Sequence, residues 1–463
     1  MTMLKLLNTF FLALPLVLGV AHGQSFNAEQ AASTLARYRS QLEALEQEVG
    51  RYDPQLLEYL ERLAELTIEL DQFNETDQIL DRAIQILRID EGLFTEAQFP
   101  FLILSARNNV RRGNWRDANE SLSHLAELYT IVPRQQDSRL INELLQVSNL
   151  HLEGVARDVE QMKDPHFRSA EAISNFAVRV SENTWEATDL RLVDLYYRQV
   201  IRNYLQFVVL NQGGPASQGL RRFIPGLDMM IRSRLEMEQL YYRLGVEMFR
   251  RMRSVYESAE YPDLEALAMV DLYQADWQVL FDNGDPDGGY RNAYDKLLKA
   301  GVVETKLQEY FRKPRVIPSR NFYSSIDRAH ESALAEASVT LGHEEREDTL
   351  YFVEWSPSVP NIHVVINQPA LLQQDISTLN TVRLAIELDG VNKVRRWVRG
   401  RYISQVSVID GFEWLGGTGR RQLTEQQLAE RLHYVNFRPV LDAGVPQPFE
   451  GILEYRYFPP DRE

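Results

Sequence analysis

The chain has 463 residues, with 50 Lys and Arg against 66 Asp and Glu and a formal net charge of −16. So acidic a chain lacks the basic face that nucleic-acid phosphates require. It has no cysteine, which excludes thiol catalysis, thiolate metal sites and disulfides and leaves burial to supply the stability, as this length allows.

Residues 1–23 read as a cleaved secretory signal. Lys5 supplies the positive start, residues 6–20 are apolar but broken by Pro15, and Ala21-His22-Gly23 forms a small-X-small site before Gln24. The apolar run is shorter than the roughly 20 residues a membrane span needs. A periplasmic location follows, with membrane contact only if this segment is retained as an anchor. Residues 24–341 read as a helical array. Residues 27–48 form its first helix, and Asp53-Pro54 caps the start of the next.

Within residues 57–126 one pattern occurs twice. The first copy has Leu63-Ala64, Phe73, Thr76, Leu80 and Ala83; the second, 42 positions on, has Ser105-Ala106, Trp115, Ala118, Leu122 and Leu125. Each copy is two helical segments broken by a polar turn, Leu70-Asp71-Gln72 or Arg112-Gly113-Asn114, with apolar residues three and four apart. One such hairpin cannot bury its apolar face alone, so hairpins stack. Further second helices are expected at Phe167, Ala170 and Ala177 and at Tyr290, Ala293 and Ala300. Residues 139–162 predict a long helix, broken at Asp164-Pro165. Ala106 and Ala118 should be buried where helices cross, and Trp115 should seat between the two helices of its hairpin.

This spacing resembles the tetratricopeptide repeat family in its longer form, with a small residue after Leu in the first helix and an aromatic opening the second. The resemblance implies that first helices line a concave groove. Glu61, Glu65 and Ile68 would face it in one repeat, and Ile103, Arg107, Val110 and Arg111 in the next.

Beyond residue 341 the period changes. Residues 342–378 read as a linker with short strands at 351–355 and 362–366, and residues 379–463 as a small α+β domain. Val382, Leu384, Ile386 and Leu388 alternate with polar residues. Asp389-Gly390 signals a hairpin into a second strand at 391–402. A helix at 424–434 follows, then a closing strand at 450–458 with Leu453, Tyr455 and Tyr457 facing inward and Glu454 and Arg456 outward. With Asn436-Phe437-Arg438-Pro439 and Gly444-Val445-Pro446 in order, this segment resembles the C-terminal domain of TonB-type energy transducers. The resemblance implies that a partner strand adds to a free edge, for which the closing strand is the candidate. The basic run around Arg395, Trp397 and Arg399 is the second candidate contact.

No spacing of the eight histidines supplies a metal-ligand pair. The acidic turn at 282–289 has Lys296 where a calcium loop needs its final acid. The residues thus predict no enzyme, metal or cofactor. They predict a mostly helical array with a small α+β domain, acting as a periplasmic scaffold for a protein or peptide of the Gram-negative envelope. The alternative is an energy transducer whose N-terminal segment stays in the membrane and whose C-terminal domain contacts outer-membrane receptors.

Overall fold

The computed structural model describes residues 28–212, 234–341, 348–356, 359–363, 379–388, 406–416, 422–432 and 435–458. The chain is mostly helical, with a small sheet near its C-terminal end. Helices α1 (Ala28–Val49), α2 (Leu57–Glu69), α3 (Phe73–Asp90), α4 (Phe99–Arg111), α5 (Trp115–Ile131), α6 (Ser138–Arg157), α7 (Glu160–Thr184) and α8 (Arg191–Gln212) come first. After them come α9 (Arg234–Glu257), α10 (Leu264–Phe281), α11 (Pro286–Lys299), α12 (Glu304–Phe311), a short strand β1 (Arg315–Val316) and α13 (Ile326–Leu341). From α6 to α10 neighbouring helices run antiparallel, since contacts step in opposite directions along each pair: Ser148–Ala170 and His151–His166, Ser174–Gln199 and Ala170–Arg202, Phe207–Tyr241 and Tyr196–Arg251, Tyr242–Phe281 and Phe249–Trp277.

Local chemistry sets several helix starts. Asp53, Asp137 and Asp263 each accept a backbone N–H of the helix that follows, and Asn114 does so for α5. The two polar turns hold left-handed residues, Asp71 at φ 56° and Gly113 at φ 75°. The small slots Ala64, Thr76, Ala83, Ala106, Ala118, Ala170, Ala177 and Ala293 are buried, while Ala300 is half-buried and lies just past the end of α11. Large residues there would overpack the crossings. Trp115 differs from expectation. It is half-buried and sets its edge against His166 of the next hairpin, with ring centroids 5.8 Å apart. The long helix also breaks earlier than expected, at Asp158, and Pro165 lies within α7.

The main sheet has the order β3-β2-β9-β4-β5, built from β2 (Thr349–Ser356), β3 (Val359–His363), β4 (Asn380–Leu388), β5 (Val406–Gly416) and β9 (Phe449–Tyr457). Its inner face packs Val382, Leu384, Ile386, Leu453, Tyr455 and Tyr457 on Leu428 and Leu432 of α14 (Glu425–Leu432). Thr424 and Gln427 exchange hydrogen bonds at the start of α14, a capping box. Three expectations are corrected here. The closing strand is central, parallel to β2 on one side and antiparallel to β4 on the other. The supposed linker supplies β2 and β3 to the same sheet. Strand β4 lies between β9 and β5, so its hairpin-side neighbour is β5, while residues 389–402 lie outside the described residues.

The sheet is fastened to the array by β6 (Phe437–Arg438), β7 (Val440–Asp442) and β8 (Val445–Gln447). Strand β6 pairs with β1, and Ile317 N–H donates to Asn436 O at 3.0 Å. Arg438 enters the array. Its Nε donates to Asp276 Oδ1 at 2.8 Å, its Nη2 to Asp276 Oδ2, and its Nη1 to the Tyr310 hydroxyl at 2.7 Å. Tyr290 donates to Asp276 Oδ1 at 2.9 Å, and the Tyr273 ring lies 5.5 Å from the guanidinium. Leu441 joins the array's main core, and Gly444, at φ 77°, lies so close to α11 that a Cβ would sit 2.7 Å from Tyr294 Cβ. Removing one partner of a buried pair strands a charge and costs about 3–5 kcal/mol. Asp276→Ala should therefore lower the urea unfolding free energy by about that amount, and adding Arg438→Met should restore much of it. An unchanged midpoint for Asp276→Ala would show that the clamp does not hold the two parts.

Candidate partner-binding faces

The predicted groove residues divide. Glu61, Glu65 and Arg107 keep solvent access along α2 and α4, and Arg111 is 22% exposed. Ile68, Ile103 and Val110 are buried core and line no groove. The reason is geometric. Helices α2 and α4 pack flank to flank, so one row of each helix reaches solvent and the adjoining apolar positions fill the seam. On α2 the row Glu61, Glu65 and Glu69, four residues apart, is half-buried, while Glu58 and Arg62 are exposed and Arg62 donates to Glu65 at 2.8 Å.

Arg107 and Arg111 are committed within the array. Both pair with Glu69, and Arg111 also donates to Asp71 Oδ1 at 2.9 Å. They tie adjacent hairpins together, so reversing their charge would strain the stack as well as the surface. Sequence reasoning missed Glu69 and Asp71 because it placed residues on a face without pairing the faces. At the far side of α4, Arg134 and Glu143 form a buried ion pair at 2.7 Å, with Arg134 stacked 4.2 Å over Phe99. Glu61 and Glu65 face no such cation on α4. Burial raises the Glu61 pKa, and repulsion from Glu65 raises it further, against Arg62 and Arg139.

A second polar region lies between α6, α7 and α8. On α8, Gln199, Arg202, Asn203 and Gln206 form one stripe, three and four residues apart, and all are buried. Arg202 donates to Ala170 O at 3.2 Å and to Ser148 Oγ at 2.7 Å, and burial lowers its pKa to about 10. Glu171, raised by burial, accepts from Asn175 at 2.7 Å. Nearby, His151 Nδ1 and His166 Nδ1 are 2.9 Å apart and His166 Nε2 lies 3.0 Å from Asp158 Oδ2. Burial lowers the His151 pKa to about 3, so that ring stays neutral. His166 packs over Gly154, where a Cβ would come within 2.3 Å of the ring. The signal for this region was present as a polar stripe inside an apolar helix. Among the described residues, no group of three or more His, Asp or Glu could hold a metal ion. Among them also, no helix is long and apolar enough to cross a membrane.

In the sheet, Glu454 faces away from α14 as expected but is buried. It accepts from Arg383 on β4 and from Arg456 on its own strand. A proline at Glu454 would therefore break an internal ladder, and strand addition at β9 is ruled out by its two neighbours. Arg395, Trp397 and Arg399 lie outside the described residues. On the inner side, Glu354 accepts from Arg431 at 2.7 and 2.8 Å, from the Tyr455 hydroxyl at 2.6 Å and from Phe458 N–H at 3.0 Å. Every oxygen is occupied, which marks a structural carboxylate that ties β2, β9 and α14.

Burial pushes the Glu354 pKa up from 4.5 to about 7 against the pull of Arg431. Between those values the folded chain keeps a proton that the unfolded chain has released. The stability this supplies is complete below pH 4.5 and is lost as pH rises through about 7. Glu354→Gln should flatten the fall in melting temperature across that window. A slope equal to wild type would assign the dependence to another group.

No family model matches the chain, and no curated protein sequence matches it.

Proposed function

We propose that this chain is a non-enzymatic scaffold of a Gram-negative periplasm, exported through residues 1–23, whose tetratricopeptide-like array binds an extended protein or peptide segment. The observation that supports this most is the pair Glu61 and Glu65 on α2. The neighbouring arginines of α4 are occupied by Glu69 and Asp71, Glu65 meets only the exposed Arg62 of its own helix at 2.8 Å, and the two carboxylates repel each other. A Lys or Arg of a bound segment relieves that repulsion and is the natural complement. The TonB-like reading of the C-terminal domain rests on the order strand, helix, Phe-X-Pro and Gly-X-Pro. In this protein Phe437 packs in the sheet's own core while Arg438 and Gly444, within those last two elements, contact the array, so the domain serves as the array's end support. That use weighs against energy transduction.

A photo-cross-linker at Glu65, introduced into the exported protein in cells, should trap a discrete envelope protein. Glu61→Gln should reduce the yield several-fold, since a charge pair at such a site is worth about 1 kcal/mol. Adducts identical to those from a cross-linker at Arg88 would remove this face from the site. N-terminal sequencing should find Gln24 first; a retained Met1 would favour an anchored protein.

A further inference from the structure

One end of the array is unlike the other. Helices α1, α3, α5, α7, α9 and α11 end there, and α2, α4, α6, α8, α10 and α12 begin there. Of the fifteen large apolar side chains exposed among the described residues, ten lie in the connections at this end or in the helical turns that flank them, and one lies in a connection at the opposite end. Ile89, Leu93, Phe94, Ile131, Leu190 and Tyr261 are all more than half exposed. Solvent-facing loops are ordinarily polar, and apolar side chains gathered along one edge mark contact surfaces.

The most apolar of these tips is built to stay out. Gly92, at φ 100°, turns the chain between α3 and α4 so that Leu93 and Phe94 point to solvent at 61% and 59% exposure. Gln98 is fully buried beneath them, and its Nε2 donates to Gly92 O at 3.2 Å and to Leu93 O at 2.9 Å. A buried side chain thus braces the loop from below, so little ordering cost remains when the tip is covered. The same six connections carry eight acidic residues and two basic ones. Asp53, Asp137 and Asp263 cap helix starts with their side chains, whereas Glu91, Glu186 and Glu260 are exposed and start no helix.

We propose that this edge, separate from the Glu61 and Glu65 face of α2, is a docking surface for a partner protein that presents a basic amphipathic face. Charge decides among the occupants. Anionic lipid headgroups and a second copy of a chain carrying −16 are both repelled by the acidic connections. A surface of Lys and Arg beside Leu or Phe satisfies both components.

The test uses the full chain and a fluorescent Leu/Lys amphipathic helical peptide as probe, with Leu/Glu and Ser/Lys peptides as controls. Leu93→Ser with Phe94→Ser should weaken the Leu/Lys peptide about tenfold, as expected for loss of an apolar anchor. It should leave the melting temperature unchanged. Ile131→Ser should weaken binding in the same direction, and Glu61→Gln with Glu65→Gln should not, so that a failed groove leaves this result standing. Equal binding by wild type and the Leu93/Phe94 variant, or equal binding of the Ser/Lys peptide, overturns the proposal. So does flotation with phosphatidylglycerol vesicles, or dimerisation on sedimentation, if the Leu93/Phe94 variant abolishes it, because the occupant is then a bilayer or a second copy.

Discussion

The buried pairing of Arg438 with Asp276 governs how the two parts of this chain behave. A guanidinium taken from the C-terminal segment is desolvated inside the helical array, which is tolerable only because a carboxylate and a tyrosine hydroxyl meet it in fixed geometry. Such a pair adds little net stability over an apolar filling. Its force is in the asymmetry: neither partner can leave without stranding the other. The sheet and the array are consequently held as one body, and the β1–β6 pairing and the seating of Gly444 on α11 follow that anchor.

This constraint changes the meaning of residues that look free in sequence. The aromatic-X-Pro element of 436–439 and the turn at 444–446 are internal fasteners. Strand β9, bounded by β2 and β4, has both ladders occupied. The C-terminal sheet has β3 and β5 as its outermost described strands, and it meets the array both through the segment that joins α14 to β9 and through β2 and β3, which lie against α6 and α8.

Within the array, two classes of charge do different work. Arg107, Arg111, Arg134 and Glu143 bind hairpin to hairpin and are spent on the stack. Glu61 and Glu65 are not committed across the seam: Glu65 pairs within its own helix with Arg62 at 2.8 Å, and Glu61 is half-buried beside it. The polar stripe of α8 belongs to neither class. Burying Gln199, Arg202, Asn203 and Gln206 costs stability relative to an apolar seam and favours one register of α6, α7 and α8, because only one alignment meets Ser148 and the Ala170 carbonyl.

What the sequence determined by itself is what depends on near neighbours. Asp53, Asn114, Asp137 and Thr424 start helices through atoms two or three residues away. Ala64, Ala106 and Ala118 are small slots buried in the cores that their hairpins form with neighbouring helices. The alternation of Val382 to Leu388 named one face of β4 for the same reason. What only the tertiary structure decided is which solvent-facing rows remain solvent-facing. Ile68 and Val110 vanish into a seam that exists because α4 lies beside α2. Glu454 is buried because β2, about a hundred residues upstream, runs parallel to β9. Arg438 is an interior residue because Asp276, 162 positions earlier, waits at the bottom of its path. Periodicity assigns a residue to a face of its own element. Whether that face meets water or another element depends on pairings between distant segments, and no local pattern encodes them.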